Sequence, residues 1–299
     1  METPKGFSVH LAGKRDLALA SMPRSMHSDK YSNGKVVVVG GGETFHGAPV
    51  LASKAADYTL SALRVGAGYA ITCVPKSIAV AVRKVSPNLV VRALSGSNLN
   101  SDDLKILDEA ARRANSVVIG PGLGRHAGTL RTIAKFMEHS IAVGKRIVVD
   151  ADALYAIRYV KGLNKSVLIT PNAFEFRLFC KRELDQKDIA PRVRASMEAA
   201  NALNANVLLK GHETIVTDGR RFKVVAARSS ALATMGTGDV LAGIIGGYAA
   251  RTDDMFKAAV AGAYLHTFIG DALHKKMGDH IIATDVMDAI PGILKTFDR

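Results

Sequence analysis

Val36-Val37-Val38-Val39 is apolar at every position and runs straight into Gly40-Gly41-Gly42. Side chains of a strand alternate between its two faces, so an unbroken apolar run needs cover on both. A parallel sheet with helices on either side supplies that cover. The same pattern returns at Tyr69–Val74, near Leu89–Ala93, and at Ser116-Val117-Val118-Ile119, which ends in Gly120-Pro121-Gly122-Leu123-Gly124. It returns again at Arg146–Asp150, Val167–Thr170 and Asn206–Lys210. Helical stretches separate most of these strands. One has Pro49 in its first turn and runs to about Val65; others are expected near Lys76–Lys84, Asp102–Arg113, Ala127–Val143 and Arg192–Asn204. The alternation predicts an α/β fold: a three-layer α/β/α sandwich around a mostly parallel sheet. Glu213–Thr217 and Arg221–Ala226, joined by Asp218-Gly219, predict an antiparallel hairpin at the sheet's edge. Helices over Val240–Ala250 and Phe256–Leu273 and a capped segment near Thr284–Ile290 complete the chain. No repeat or linker divides it, so residues 1–299 read as one domain with 1–22 as a lead-in.

Charge narrows the function. Forty Lys plus Arg against 27 Asp plus Glu give a net charge of +13, which favours polyanionic ligands. The basic residues are scattered and carry no nucleic-acid-binding signature, so small phosphorylated molecules are the expected partners, not nucleic acid or a membrane. Cys73 and Cys180 lie in apolar contexts and suit buried thiols of a reducing compartment. With no leading secretory signal and no apolar stretch long enough to span a bilayer, the expected location is the cytoplasm.

The chemistry concentrates in Met235-Gly236-Thr237-Gly238-Asp239-Val240. Gly236 and Gly238 are expected to take positive φ and to bring backbone amides against a ligand. Together with the unpaired N–H groups of the helix start, they form a pocket for anionic oxygens. Asp239 stands at its mouth, able to take a proton from a hydroxyl attacking phosphorus; an ordinary Asp N-cap is the bland alternative. Asp150 and Asp152 follow the end of a strand, where α/β sheets place ligands, although Asp152 also suits a helix cap. Asn172 and Glu175 open a helix three residues apart, a spacing shared by a functional pair and by a capping box. The loop after Val39 fails as a dinucleotide fingerprint, because its spacing is wrong and no acidic residue ends the second strand. The nine histidines form no metal-binding pattern.

Taken in order from about Pro23, the motifs resemble the ribokinase-like superfamily, and within it the ADP/ATP-dependent NAD(P)H-hydrate dehydratases. The carriers are Val-Val-Gly-Gly-Gly with Gly47-Ala48-Pro49, Gly66-Ala67-Gly68, Gly120-Pro121-Gly122-Leu123-Gly124 and Asp150-Ala151-Asp152-Ala153-Leu154. Leu209-Lys210-Gly211 and Gly236 to Gly243 complete the set. The resemblance implies repair of NADH or NADPH hydrate, in which a nucleotide phosphorylates the ring hydroxyl and phosphate then leaves. It implies Asp239 as general base and Gly236, Thr237 and Gly238 as the anion hole. Lys210, Gly211, His212, Glu213 and Thr214, with Gly238, would hold ADP or ATP. Ala48, Gly122, Gly124 and Asn172, with Asp239, would meet the damaged dinucleotide, and Glu175 would help order Mg²⁺. It further implies a homo-oligomer, the family tendency being a tetramer, and no counterpart of the epimerase domain found in bifunctional relatives.

The chain departs from the family pattern at several points. Asn172 stands for a usual histidine and Phe174 for a glycine; Ser229-Ser230-Ala231 replaces an Asn-Pro-Gly-like lead. Met235 replaces a small residue, Phe45 a common tyrosine, and Pro87-Asn88 a Pro-Glu. Asn172-x-x-Glu175 matches the spacing of small-molecule kinases in the same superfamily, so phosphorylation of a stable hydroxyl is the second enzyme reading. A dinucleotide-binding protein without turnover is the third.

Overall fold

The computed structural model describes residues 10–18, 24–42, 57–180, 184–185 and 188–297. Ala48, Phe45 and the start of the helix predicted from Gly47 lie outside them. The nine strands among the described residues are β1 Lys35–Val39, β2 Tyr69–Pro75, β3 Val90–Leu94, β4 Ser116–Ile119 and β5 Arg146–Val149, then β6 Val167–Ile169, β7 Asn206–Leu209, β8 Glu213–Thr217 and β9 Phe222–Ala226. They form one sheet in the order β3-β2-β1-β4-β5-β6-β7-β8-β9. Pairing is parallel from β3 to β7 and antiparallel at β7–β8 and β8–β9, as the hairpin signal predicts. The lead-in adds to the open edge: the Ala12 amide donates to the Val224 carbonyl and the Val224 amide to His10. That pairing covers backbone groups an edge strand leaves open.

Strand alternation sorts the core into two halves. Val36, Val38, Val118, Val148, Leu168 and Val216 face a core shared with helical residues 57–64 (α2) and with α7 Thr237–Ala249, α8 Met255–Met277 and α9 Ala283–Lys295. Val37, Val39, Val117, Ile119, Val149 and Ile215 face the opposite core with α4 Leu104–Arg112, α5 Ala127–Ala142 and α6 Ile189–Ala202. The short α1 is Lys14–Ala18 and α3 is Lys76–Val85. The last helix runs further than the expected capped segment and passes through Pro291, because Ile293, Leu294 and Phe297 continue the apolar stripe of Val286, Met287 and Ile290 onto the same core.

Two packing details place the site. The order of strands turns around between β1 and β4, the kind of switch point beside which α/β sheets place ligands. Their loops meet there, with the Gly41 amide donating to the Pro121 carbonyl at 2.6 Å. The second detail is a close helix crossing. A Cβ on Gly243 of α7 would stand 2.4 Å from the Tyr58 carbonyl oxygen, and one on Gly247 would stand 2.7 Å from that of Ala62. Glycines four apart therefore let α2 lie directly on α7.

Candidate active site

Three neighbouring strands end in polar residues that converge. Asp150 follows β5, Thr170 follows β6 and Lys210 follows β7, so the sheet's register sets them side by side. Lys210 Nζ lies 2.8 Å from Asp150 Oδ1, and the Thr170 hydroxyl donates to the same oxygen at 2.7 Å. Tyr58, wholly buried on α2, places its hydroxyl 2.6 Å from Asp150 Oδ2 and 3.1 Å from Asp239 Oδ1. Burial alone would raise the Asp150 carboxyl, but the Lys210 ammonium and the hydrogen bonds from Lys210, Tyr58 and Thr170 outweigh it and hold the group below its ordinary value. Burial likewise opposes the Lys210 charge, and the carboxylates of Asp150 and Glu175 more than compensate, so the ammonium is held above its usual range. The Tyr58 phenol is pushed far up by burial and by Asp150 and Asp239, which keeps it protonated.

Asp239 belongs to the first turn of α7 and is buried; the N-cap is Gly236, in the left-handed region at φ 92°. Only glycine takes that backbone without strain, and a Cβ there would also come within 2.9 Å of Ala283. The bland Asp N-cap is thus set aside. Gly238 corrects the expectation of positive φ, for it is an ordinary helical residue. What it provides is room: the position of its missing Cβ is 3.6 Å from Lys210 Nζ. The first-turn amides of α7 sit at a helix start with the Lys210 ammonium close above Gly238, an arrangement suited to a phosphoryl group.

A cavity of about 650 Å³ opens over this turn. Asn172, Lys210, Gly211, His212, Thr214 and Gly238 line it together. Glu213 corrects the expectation for its stretch. Neighbours in a strand face opposite sides, and the Glu213 carboxylate points to α6, where Arg192 Nη1 lies 3.1 Å away. Arg192 is itself buried and also donates to the Glu213 carbonyl at 2.7 Å. Gly122 and Gly124 stand apart from this cavity, in the loop after β4, both with positive φ. Asp152 holds that loop: it accepts from the Gly124 amide at 3.1 Å and from Arg125 Nε at 3.0 Å. Asp150 and Asp152, two apart in sequence, therefore serve different places.

Asn172 and Glu175 bond reciprocally, the Asn172 amide donating to Glu175 at 2.8 Å and the Glu175 amide to Asn172 at 2.9 Å. That reciprocal pair has the pattern of a capping box and closes the turn leading into the short 3-10 helix Glu175–Leu178, which accounts for the spacing without kinase chemistry. The Glu175 carboxylate still reaches to 3.9 Å from Lys210 Nζ. Among the described residues no cluster of three or more His, Cys, Asp or Glu is placed to hold a metal ion. Of the departures, Ser229 and Ser230 line the cavity, Phe174 and Met235 are largely exposed, and Pro87-Asn88 sits in a turn after α3. His266 of α8 also lines the cavity, and sequence reading passed over it as one dispersed histidine; burial pushes its imidazole down to about 4. Tyr58 was the larger omission.

The sheet order and the helices on its two faces give the chain an α/β fold shared with a ribokinase-like superfamily protein of Enterococcus faecalis, at a TM-score of 0.83, 22% identity and coverage of 99% of each chain. A family model described as NAD(P)H-hydrate dehydratase matches residues 36–292, and the chain belongs to that family. An ADP-dependent (S)-NAD(P)H-hydrate dehydratase of Cenarchaeum symbiosum is 34% identical over 297 residues, covering 98% of this chain and 99% of that one. The bifunctional NAD(P)H-hydrate repair enzyme Nnr of Pyrobaculum aerophilum is 33% identical over 288 residues, covering 96% of this chain but 56% of its own length. The chain thus spans about half the length of the bifunctional relatives it matches. In fold, it resembles the ADP/ATP-dependent NAD(P)H-hydrate dehydratase of Bacillus subtilis co-crystallised with ATP/Mg²⁺, with a TM-score of 0.81, 23% identity and coverage of 98% and 100%.

Proposed function

We propose that this chain repairs hydrated NADH or NADPH in a nucleotide-dependent dehydration. The observation that carries the reading is the position of Asp239 in the first turn of α7, behind the Gly236 turn and below Lys210, in a chain of the hydrate dehydratase family. Asp239 takes the proton of the ring hydroxyl as its oxygen bonds to the terminal phosphorus of ADP or ATP. The bond from that phosphorus to the rest of the nucleotide breaks, leaving AMP or ADP. Charge on the transferred group falls on the first-turn amides and Lys210. The ring carbon–oxygen bond then breaks, phosphate leaves with the electron pair, and loss of a proton from the adjacent carbon restores the dihydronicotinamide. Lys210, Gly211, His212 and Thr214 form the nucleotide side of the cavity. Gly122, Gly124 and Ala48 serve the dinucleotide, with Asn172 at the junction. One available carboxylate suits Mg²⁺, which takes few protein ligands and keeps waters and substrate phosphates, so Glu175 would act on its water shell; bound there, Mg²⁺ would neutralise phosphate charge.

We further propose a cytoplasmic homo-oligomer, with light scattering to report its size. No helix among the described residues is long and apolar enough to cross a membrane. The test of function is incubation of hydrated NADH or NADPH with Mg²⁺ and ADP or ATP separately. Dihydronicotinamide absorbance should return together with phosphate release, and only with nucleotide. Asp239→Asn should keep the fold and nucleotide binding while losing ~10²–10⁴-fold in rate, the usual contribution of a general base. Turnover at the wild-type rate in that variant removes Asp239 from the role.

A further inference from the structure

The phenol of Tyr58 lies between two carboxylates with a single proton to give. Its oxygen is 2.6 Å from Asp150 and 3.1 Å from Asp239, and no part of the residue reaches solvent. The shorter contact has the length of a hydrogen bond from a hydroxyl to a charged oxygen. Asp150 is the carboxylate that Lys210 and Thr170 hold ionised, so the phenol proton belongs there. The phenol oxygen then presents a lone pair to Asp239. Facing an ionised Asp239 it offers no proton; facing a protonated one it is a hydrogen-bond acceptor at the right distance.

We propose that Tyr58 is a positioning residue for the base, its phenol oxygen accepting a hydrogen bond from the proton that Asp239 gains in the reaction. This rests on the reading of Asp239 as base. When the substrate O–H bond breaks, its proton goes to Asp239 Oδ1 and the hydroxyl oxygen forms its bond to phosphorus. The nucleotide's phosphorus–oxygen bond breaks with its electron pair. The new carboxylic acid donates to Tyr58, Tyr58 donates to Asp150, and Lys210 balances the remaining charge. A row of donors pointing one way, Asp239 to Tyr58 to Asp150, replaces a phenol that donates to Asp150 while its lone pair faces a second anion. Tyr58 thus favours the protonated form of Asp239 and strengthens it as a base.

Among the described residues, the other charged groups near this site are engaged elsewhere. Lys210 approaches from the end of β7, already bound to Asp150, with Glu175 beyond it at 3.9 Å. From α8, His266 lines the cavity and is neutral at working pH. Asp285 in the first turn of α9 is turned onto the Ile282 amide at 2.9 Å. The glycine pair of α7 gives the arrangement its rigidity, since α2 cannot slide while the Tyr58 backbone rests on Gly243.

Tyr58→Phe keeps the ring and deletes the oxygen. Carboxyl-labelled aspartate NMR of the whole protein, with the Asp239 signal assigned by its loss in Asp239→Asn, reads the titration directly and needs no turnover. The Asp239 midpoint should fall by about one pH unit, the equivalent of one ordinary hydrogen bond to the protonated form. In turnover, the acid limb of kcat/KM should move down with it, kcat should fall about tenfold, and KM for nucleotide and hydrate should change less than twofold. A merely structural role would lower Tm or raise KM and leave the limb in place. If Tyr58→Phe fails to fold, 3-fluorotyrosine at position 58, a poorer acceptor of the same shape, should shift the midpoint the same way by less. A midpoint that stays or rises in the folded variant overturns the inference. Turnover retained in Asp239→Asn would instead overturn the base assignment, whatever Tyr58 does.

Discussion

Replacing Lys210 with methionine (Lys210→Met) keeps most of the side chain's length and removes its charge. The Asp150 carboxylate it leaves behind is only 3% exposed and keeps Tyr58 and Thr170 as hydrogen-bond donors. Breaking one side of a buried pair of this kind costs about 3–5 kcal/mol, because the remaining charge is uncompensated. Unfolding entropy of about 2.1 cal/mol/K per residue amounts to ~0.6 kcal/mol/K for 299 residues, so Tm should drop by about 5–8 °C. The drop should depend on pH. In the wild type, Asp150 is held below its unfolded value, so its contribution is present above about pH 4 and is lost as pH falls through the folded value. Without Lys210, burial dominates and the carboxyl rises above its unfolded value, which penalises folding above about pH 4 and not below. Both effects shrink the gap on acidification. Lys210 is itself held above its ordinary value, so its share is full below about pH 10.4 and fades as pH rises through the folded value. Differential scanning calorimetry of both proteins at pH 7 and pH 4.5 measures the gap. A gap below about 1 kcal/mol at pH 7, or one that stays constant between the two pH values, refutes the pair as the organiser of the site.

Gly243→Ala would push a methyl group into the Tyr58 backbone; we expect about 1–3 kcal/mol of destabilisation from overpacking, seen in chemical denaturation, and a fall in turnover larger than the folded fraction explains. Asp152→Ala frees the Gly124 amide and Arg125, so steady-state kinetics should show KM for the dinucleotide rising severalfold while KM for ADP or ATP stays constant; equal changes in both would deny the loop a separate role.

Much of this fold was readable from residues because the strands leave little choice. Val36 to Val39 and Ser116 to Ile119 fit only a sheet covered on both faces, and Asp218-Gly219 fits a tight hairpin at the edge. Lys210 and Gly238 come together because each closes or opens a regular element at the same edge. Glu213 went astray because a motif was carried over as a stretch, whereas a strand turns alternate residues to opposite faces; Thr214 faces the cavity and Glu213 faces Arg192. Tyr58 had no local mark at all. A tyrosine among Ala, Leu and Ser on an apolar helix reads as core until the helix it touches is known. The available signal lay elsewhere, in Gly243 and Gly247 four apart on an otherwise apolar helix, a spacing that announces a close helix neighbour.

The two central carboxylates come from unlike parts of the chain, and that division assigns their work. Asp150 sits past the end of a central strand and already holds an ammonium and two hydroxyls, so protonating it would break an ion pair and misplace Lys210. It is therefore poorly suited to accept a substrate proton. Asp239 sits in a helix's first turn beside the amides that the proposed reaction assigns to phosphate, where a proton taken from a hydroxyl would travel least. Groups whose surroundings separate their affinities for a proton can divide structural and chemical roles in this way. The glycine turn alone would give an anion pocket next to an acid. The ends of β5, β6 and β7, acting through Tyr58, give that acid a direction in which to hand its proton.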